Sequence, residues 1–281
     1  MIPRMPHRLN EITSGGRTIR WRETDPGATA GGAHPLVLLH AFPLSAAMWD
    51  LQFDAFPGWR VIAPDIRGFR GPDGPSVEQP GQPTMDELAM DVEHVLDALG
   101  VSSAVIGGLS MGGYLAFALL RRAPARFRGL VLADTRAAAD SEEAKAGRRK
   151  MQRLVDEHGA SAVADDMLPK LLGDTTRRER PEVAGGVRRL IEANSPDAIK
   201  AAIGAMMDRQ DAAPLLSTIA CPTLILVGEE DRLTPVAAAE ELHRGIGGSQ
   251  FVTIPRAGHL SNLEQPDAFN AALGRFLRES F

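Results

Sequence analysis

Apolar and polar positions alternate between two periods along this chain. Short continuous apolar runs, Leu36–Leu39, Arg60–Ala63, Ala104–Ile106, Leu130–Ala133, Thr223–Val227 and Phe251–Ile254, read as strands buried on both faces. Arg17–Arg22 alternates polar with apolar and reads as one strand of a hairpin. Between the runs the period lengthens. Met85–Leu99 places apolar residues at 85, 88, 89, 92, 95, 96 and 99, a helical stripe, and Thr84 with Glu87 forms a capping box ahead of it. Val236–Ile246 and Asp267–Leu277 supply the last two helices. Strands alternating with helices predict an α/β fold with a mainly parallel sheet covered on both faces.

The alternation stops between Asp134 and Ser217. Helical stripes at 144–158, 160–172, 182–194 and 196–208, punctuated by Gly173 and Pro181, run there without a strand. Such a stretch does not continue the sheet, so it reads as an insertion lying over the strand ends. The Gly/Pro-rich segment 68–83 reads as a surface loop.

Bulk properties narrow the classes. With 281 residues the chain can bury a core without disulfides or metals. Its net charge of −5, with both signs interspersed and no basic run, argues against nucleic acid as a partner. The single cysteine, Cys221, excludes an intrachain disulfide and reads as a small buried hydrophobe. No apolar secretory segment opens the sequence and no stretch reaches membrane-spanning length. A cytoplasmic protein, not bound to membrane, is the expectation. Nothing sets an oligomeric state.

The chemistry centres on Gly108-Leu109-Ser110-Met111-Gly112. This G-x-S-x-G follows a buried strand and opens the helical pattern 113–122, as a nucleophile elbow requires. Side chains at 108 and 112 would clash in so tight a turn, and the helix N-terminus offers free N–H groups beside the hydroxyl. A serine needs a base, and the base an orienting carboxylate. Of the seven histidines, His259 follows the last strand in Ala257-Gly258-His259, while His94, His158 and His243 fall on helical patterns and His7 and His34 in tails or loops. Asp231 follows the strand 223–227 and precedes Pro235. Asp134, also at a strand end, is its competitor, with loop capping as its other role. The order Ser110, Asp231, His259 suits a hydrolase. Met111 and Phe42, from His40-Ala41-Phe42-Pro43, are the candidates for oxyanion N–H groups. His40 is read as holding its loop through ring hydrogen bonds.

From about Arg17 to Leu277 the chain resembles the α/β-hydrolases. The matching motifs are His40-Ala41-Phe42-Pro43, with alanine where glycine is usual, Asp65-Ile66-Arg67-Gly68, the Ser110 elbow, Gly228-Glu229-Glu230-Asp231 with Thr234-Pro235, and Ala257-Gly258-His259. The likeness is greatest to small esterases and lactonases with a helical cap, 3-oxoadipate enol-lactonase-like proteins among them. After Asp65 the family pattern Gly-x-Gly is replaced by Phe69-Arg70-Gly71. The resemblance implies an eight-stranded sheet, a core of residues 1–135 and 218–281, and a cap of residues 136–217.

Residue types sort the reactions. Related dehalogenases and epoxide hydrolases use an aspartate nucleophile, which Ser110 opposes. Thioesterase and carbon–carbon bond hydrolysis keep serine, and Pro43 resembles the cofactor-free haloperoxidase and perhydrolase group. A non-catalytic ligand-binding relic is the reading from a different class. No metal motif and no nucleotide fingerprint is present, so neither a cofactor nor a metal is expected. The expected substrate is a small-molecule ester or lactone. Trp49, Met167, Leu171 and Met206 are the candidate pocket walls. The pattern assigns no arginine to a substrate carboxylate and so gives an acidic lactone no support.

Overall fold

The computed structural model describes residues 8–14, 17–24, 34–72 and 81–281. The N-terminal segment with His7, and residues 73–80 of the Gly/Pro-rich loop, lie outside the described residues. One sheet organises the molecule. Its strands are β1 (Arg8–Ser14), β2 (Arg17–Glu23), β3 (His34–Leu39), β4 (Trp59–Pro64), β5 (Ala104–Leu109), β6 (Phe127–Ala133), β7 (Thr223–Gly228) and β8 (Gln250–Ile254). They lie in the order β1-β2-β4-β3-β5-β6-β7-β8. The β1–β2 and β2–β4 pairs are antiparallel; every pair from β4 through β3 to β8 is parallel.

Helices cover both faces, which is why the central strands are apolar throughout. Every residue of β5 and β7 is buried. Burying each large aliphatic side chain there contributes ~1.5–3 kcal/mol. Helix α1 (Met85–Ala98) turns Leu88, Val92, Val95 and Leu96 inward, and its expected cap is present. The Glu87 N–H donates to Thr84 Oγ1 at 3.2 Å and the Thr84 N–H to Glu87 Oε2 at 2.8 Å. Helix α2 (Met111–Arg122) follows β5 directly.

Between β6 and β7 come α3 (Glu142–Leu171), α4 (Asp174–Glu179), α5 (Pro181–Glu192) and α6 (Pro196–Met207). Gly159, with φ 72°, breaks α3 between the two stripes that the sequence separates at that point. Short α4 falls between Gly173 and Pro181, where the sequence shows no stripe: six residues are too few to carry one. Then follow α7 (Val236–Gly245), α8 (Ser261–Glu264) and α9 (Pro266–Ser280). Among the described residues no helix is long and apolar enough to cross a membrane.

Candidate active site

A parallel sheet sends the loops after its strands to one edge, and that edge gathers the candidate residues. After β5 the chain must reverse into α2 within one residue. Ser110 sits at that reversal with φ 55° and ψ −112°, a backbone that L-residues rarely adopt. Two glycines make room. A Cβ on Gly108 would lie 2.1 Å from the Gly112 carbonyl oxygen, and one on Gly112 would lie 2.1 Å from that of Leu39. The turn is pinned by the Ser110 N–H donating to the Ala133 carbonyl at 3.0 Å and by Thr135 Oγ1 donating to the Ser110 carbonyl at 2.8 Å.

His259 comes from the loop between β8 and α8. Its Nε2 lies 2.8 Å from Ser110 Oγ and its Nδ1 2.8 Å from Asp231 Oδ2. A carboxylate only accepts, so Nδ1 carries the proton and Nε2 is free to accept from the serine. Asp231, in the loop after β7, also accepts from Thr234 Oγ1 at 2.7 Å and from the Leu233 and Thr234 N–H groups at 2.8 and 3.0 Å. Burial disfavours charge on both partners, but each stabilises the other's ion. The result is a His259 pKa raised above its ordinary 6.5 and an Asp231 carboxyl held below its usual range.

Asp134, the competing carboxylate, is also buried here, with φ 44°. It makes no hydrogen bond to the histidine ring. Its Oδ1 accepts the Gly228 N–H at 2.8 Å and its Oδ2 accepts from Ser261 N and Oγ at 3.2 and 2.5 Å. It thereby ties the end of β7 to the start of α8. Burial, and then the charge of Asp231, push its carboxyl up to about 8.

The loop after β3 closes the opposite wall. His40 is wholly buried; its Nδ1 donates to the Ala41 carbonyl at 3.0 Å and its Nε2 accepts the Ile66 N–H at 2.9 Å. Asp65 Oδ1 accepts the Ala46 N–H at 2.8 Å. These bonds brace the turn carrying Phe42. Met111 opens α2, so its N–H lies in the first turn, where helix geometry provides no acceptor.

Ser110, His259 and Phe42 open into a cavity of about 270 Å³ roofed by α3 and α6. Met167 and Met206 line it, with Met151, Ile203 and Leu233. Two expected wall residues do not. Trp49 is buried in the core, its ring 6.1 Å from that of Phe269, because the 3-10 turn 46–49 faces α9. Leu171 is wholly buried at the end of α3, and its carbonyl accepts the His259 N–H at 3.0 Å. The cavity also holds Tyr114, Arg136, Arg148 and Lys170, none of them singled out in the sequence. Arg148 is paired with Arg149 on a helical pattern, which carries no local signal of which member faces inward, and Arg136 stands in a loop without any pattern.

The alpha/beta hydrolase fold model matches residues 34–266. The chain belongs to the α/β-hydrolase family. It is 32% identical to the AB hydrolase superfamily protein YisY of Bacillus subtilis over 255 residues, 88% of this chain and 92% of that protein. It is 30% identical to 3-oxoadipate enol-lactonase 2 of Acinetobacter baylyi, over 85% of this chain and 86% of that one. Among solved structures, a thermophilic esterase from Thermogutta terrifontis, with malate bound, superposes with a TM-score of 0.87 at 39% identity, covering 97% of this chain and 99% of that one. The enol-lactonase from Burkholderia xenovorans LB400 superposes with a TM-score of 0.85 at 28% identity, covering 96% and 100%. As a member of this family the chain is a hydrolase, with esterases and enol-lactonases among its relatives.

Proposed function

We propose that this protein is a serine hydrolase of carboxylic esters or lactones working through an acyl-enzyme on Ser110. One observation carries the reading: the unbroken hydrogen-bond line from Ser110 Oγ through both nitrogens of His259 to Asp231, facing a largely apolar cavity that is part-open to solvent. Ser110 attacks the carbonyl as His259 Nε2 takes its proton. Asp231 holds the ring in the required tautomer and stabilises the imidazolium. The N–H groups of Phe42 and Met111 receive the oxyanion. His259 then protonates the leaving alcohol, and a water molecule attacking the acyl carbon releases the acid and restores Ser110.

In this reading residues 136–217 act as a cap over a core of residues 1–135 and 218–281. A cavity of about 270 Å³ suits a small substrate. The esterase and lactonase names of the relatives support the ester or lactone class.

Hydrolysis of p-nitrophenyl butyrate by wild type and Ser110→Ala is the test. The variant is expected to lose ~10⁴-fold or more in kcat. A fluorophosphonate probe should label the wild type at Ser110 and leave the variant unlabelled. Retained hydrolysis by Ser110→Ala would overturn the assignment.

A further inference from the structure

The cavity's charge is unbalanced. Three cationic side chains, Arg136, Arg148 and Lys170, line it, and among its lining residues there is no aspartate or glutamate. Lys170 is matched by Asp166, 2.5 Å away and likewise part-exposed. The two arginines are not matched one for one. Both bond to Asp140: Arg136 Nη2 at 3.0 Å from Oδ1, and Arg148 Nε on Oδ2. Arg209 takes a share as well, its Nη1 2.7 Å from Oδ1.

One carboxylate therefore serves three guanidinium groups. Burial works against charge on Asp140, but hydrogen bonds and charge from Arg148 and Arg209 outweigh it and hold the carboxyl well below its usual range. Asp140 thus counts as one full negative charge, and the cluster carries a net +2.

The three arginines differ in what else they do. Arg209 is structural. It is 4% exposed, donates to the Met206 and Ala138 carbonyls, and lies 4.0 Å over the Tyr114 ring. Arg136 and Arg148 keep 32% and 20% of their side chains exposed, and both line the cavity. Arg136 Nε is a buried donor without an acceptor. An uncompensated guanidinium beside apolar walls is costly, and a bound anion offsets that cost with strong charge-assisted bonds. Arg136 and Arg148 each already bond a carboxylate, Asp140, through a single nitrogen.

We infer that the substrate is an ester or lactone carrying a free carboxylate, and that Arg136 and Arg148 bind that carboxylate while Ser110 attacks the ester carbonyl. The inference rests on the hydrolase reading above and narrows it. Asp140 is a positioning residue that holds both arginines at the cavity wall, and the apolar walls contact the chain between the two carbonyl groups.

The test compares esters matched in size and differing in charge. On the acyl side, mono-p-nitrophenyl glutarate is set against p-nitrophenyl valerate. On the alcohol side, 4-carboxyphenyl valerate is set against phenyl valerate. The wild type is expected to prefer the charged member of one pair by about tenfold or more in kcat/KM, chiefly through KM. That pair then shows which side of the ester carries the anion. Raising ionic strength should shrink the preference. Arg148→Gln and Arg136→Gln should each reduce the charged-to-neutral ratio roughly tenfold, and Arg148→Lys, which keeps the charge, should restore much of it. Because the readout is a ratio within one protein sample, partial misfolding of a variant does not imitate the effect. A wild type that favours the neutral member of both pairs overturns the inference. A preference undiminished in both Gln variants overturns the assignment to these arginines. Failure of the wild type to cleave any of the four esters overturns instead the reading on which the inference rests.

Discussion

Glu264 Oε2 accepts the N–H of Gly173 at 2.8 Å, which fastens the segment joining α3 to α4 onto the loop that carries His259. The other oxygen of the same carboxylate accepts the Gly258 and Leu260 N–H groups at 2.9 and 3.1 Å, on either side of the histidine. The Leu171 carbonyl adds a direct bond to the His259 N–H. One end of the helical segment is thus bonded to the loop of the proposed base.

Glu264→Ala should expose this dependence. It leaves three buried N–H groups without acceptors, at a cost of ~1–3 kcal/mol each before relaxation. Stability should fall by about 3 kcal/mol or more. The same change frees the His259 loop, so kcat should fall on the order of 10–100-fold although Glu264 touches no substrate. Thermal unfolding and steady-state kinetics check both. A variant that unfolds early but turns over at the wild-type rate at low temperature would confine Glu264 to a structural role.

Asp231→Asn should change the pH profile as well as the rate. In the wild type the Asp231 carboxylate raises the His259 pKa above 6.5, so kcat/KM should climb with pH to a midpoint above that value. An amide removes the countercharge while burial remains, so the midpoint should move down. Turnover should drop ~10³–10⁴-fold, because nothing then holds the tautomer with Nε2 free. Asp134→Asn is expected to keep activity within about tenfold, since Asp134 bonds Gly228 and Ser261 and not the ring. The reverse ranking would exchange the roles of the two carboxylates.

How much of this was legible in the sequence depends on the range of the forces involved. Strands β3, β5 and β7 announced themselves because burial on both faces demands unbroken apolar runs. Ser110, Asp231 and His259 were legible because each sits where a strand ends, and the chain marks those ends with glycine and proline. The break at Gly159 was readable as the gap between two stripes. Trp49 misled because a large aromatic near the Phe42 loop suits a pocket wall and a core equally, and only the position of Phe269 decides between them. Arg136 and Arg148 carried no signal because their common partner, Asp140, looks like a local countercharge until the fold brings Arg209, far along the chain, to share it. Glu264 was silent for the same reason. A glutamate in a short helix looks solvent-facing until the fold brings Gly173 to it.

Gly112→Ala should test the packing of the elbow. The new methyl would lie 2.1 Å from the Leu39 carbonyl oxygen, and backbone on both sides has no rotamer with which to yield. Strand β3 and helix α2 must separate, at a cost of about 3 kcal/mol or more. Ser110 and Met111 shift with the helix, so residual activity per folded molecule should fall as well. Denaturant unfolding with active-site titration by a fluorophosphonate measures both quantities. Wild-type stability in this variant would contradict the close approach.

His40 supplies a stability prediction whose sign can be worked out. Burial lowers its pKa from 6.5 to about 4, with the Ala41 carbonyl opposing in part. Between those values the unfolded chain binds a proton that the folded protein refuses, so stability attributable to His40 is present at neutral pH and is lost as pH falls. At pH 5 the loss from this group is about 2 kcal/mol. His40→Gln retains a donor for the Ala41 carbonyl and an acceptor for the Ile66 N–H but has no proton to take up. Urea unfolding at pH 7.5 and pH 5 should show the wild type losing more stability than the variant, by roughly that amount, whatever the two absolute values. Equal losses would mean that His40 takes up its proton without leaving the loop. The brace on the Phe42 turn would then tolerate a charged ring, and acid inactivation would have to originate at His259.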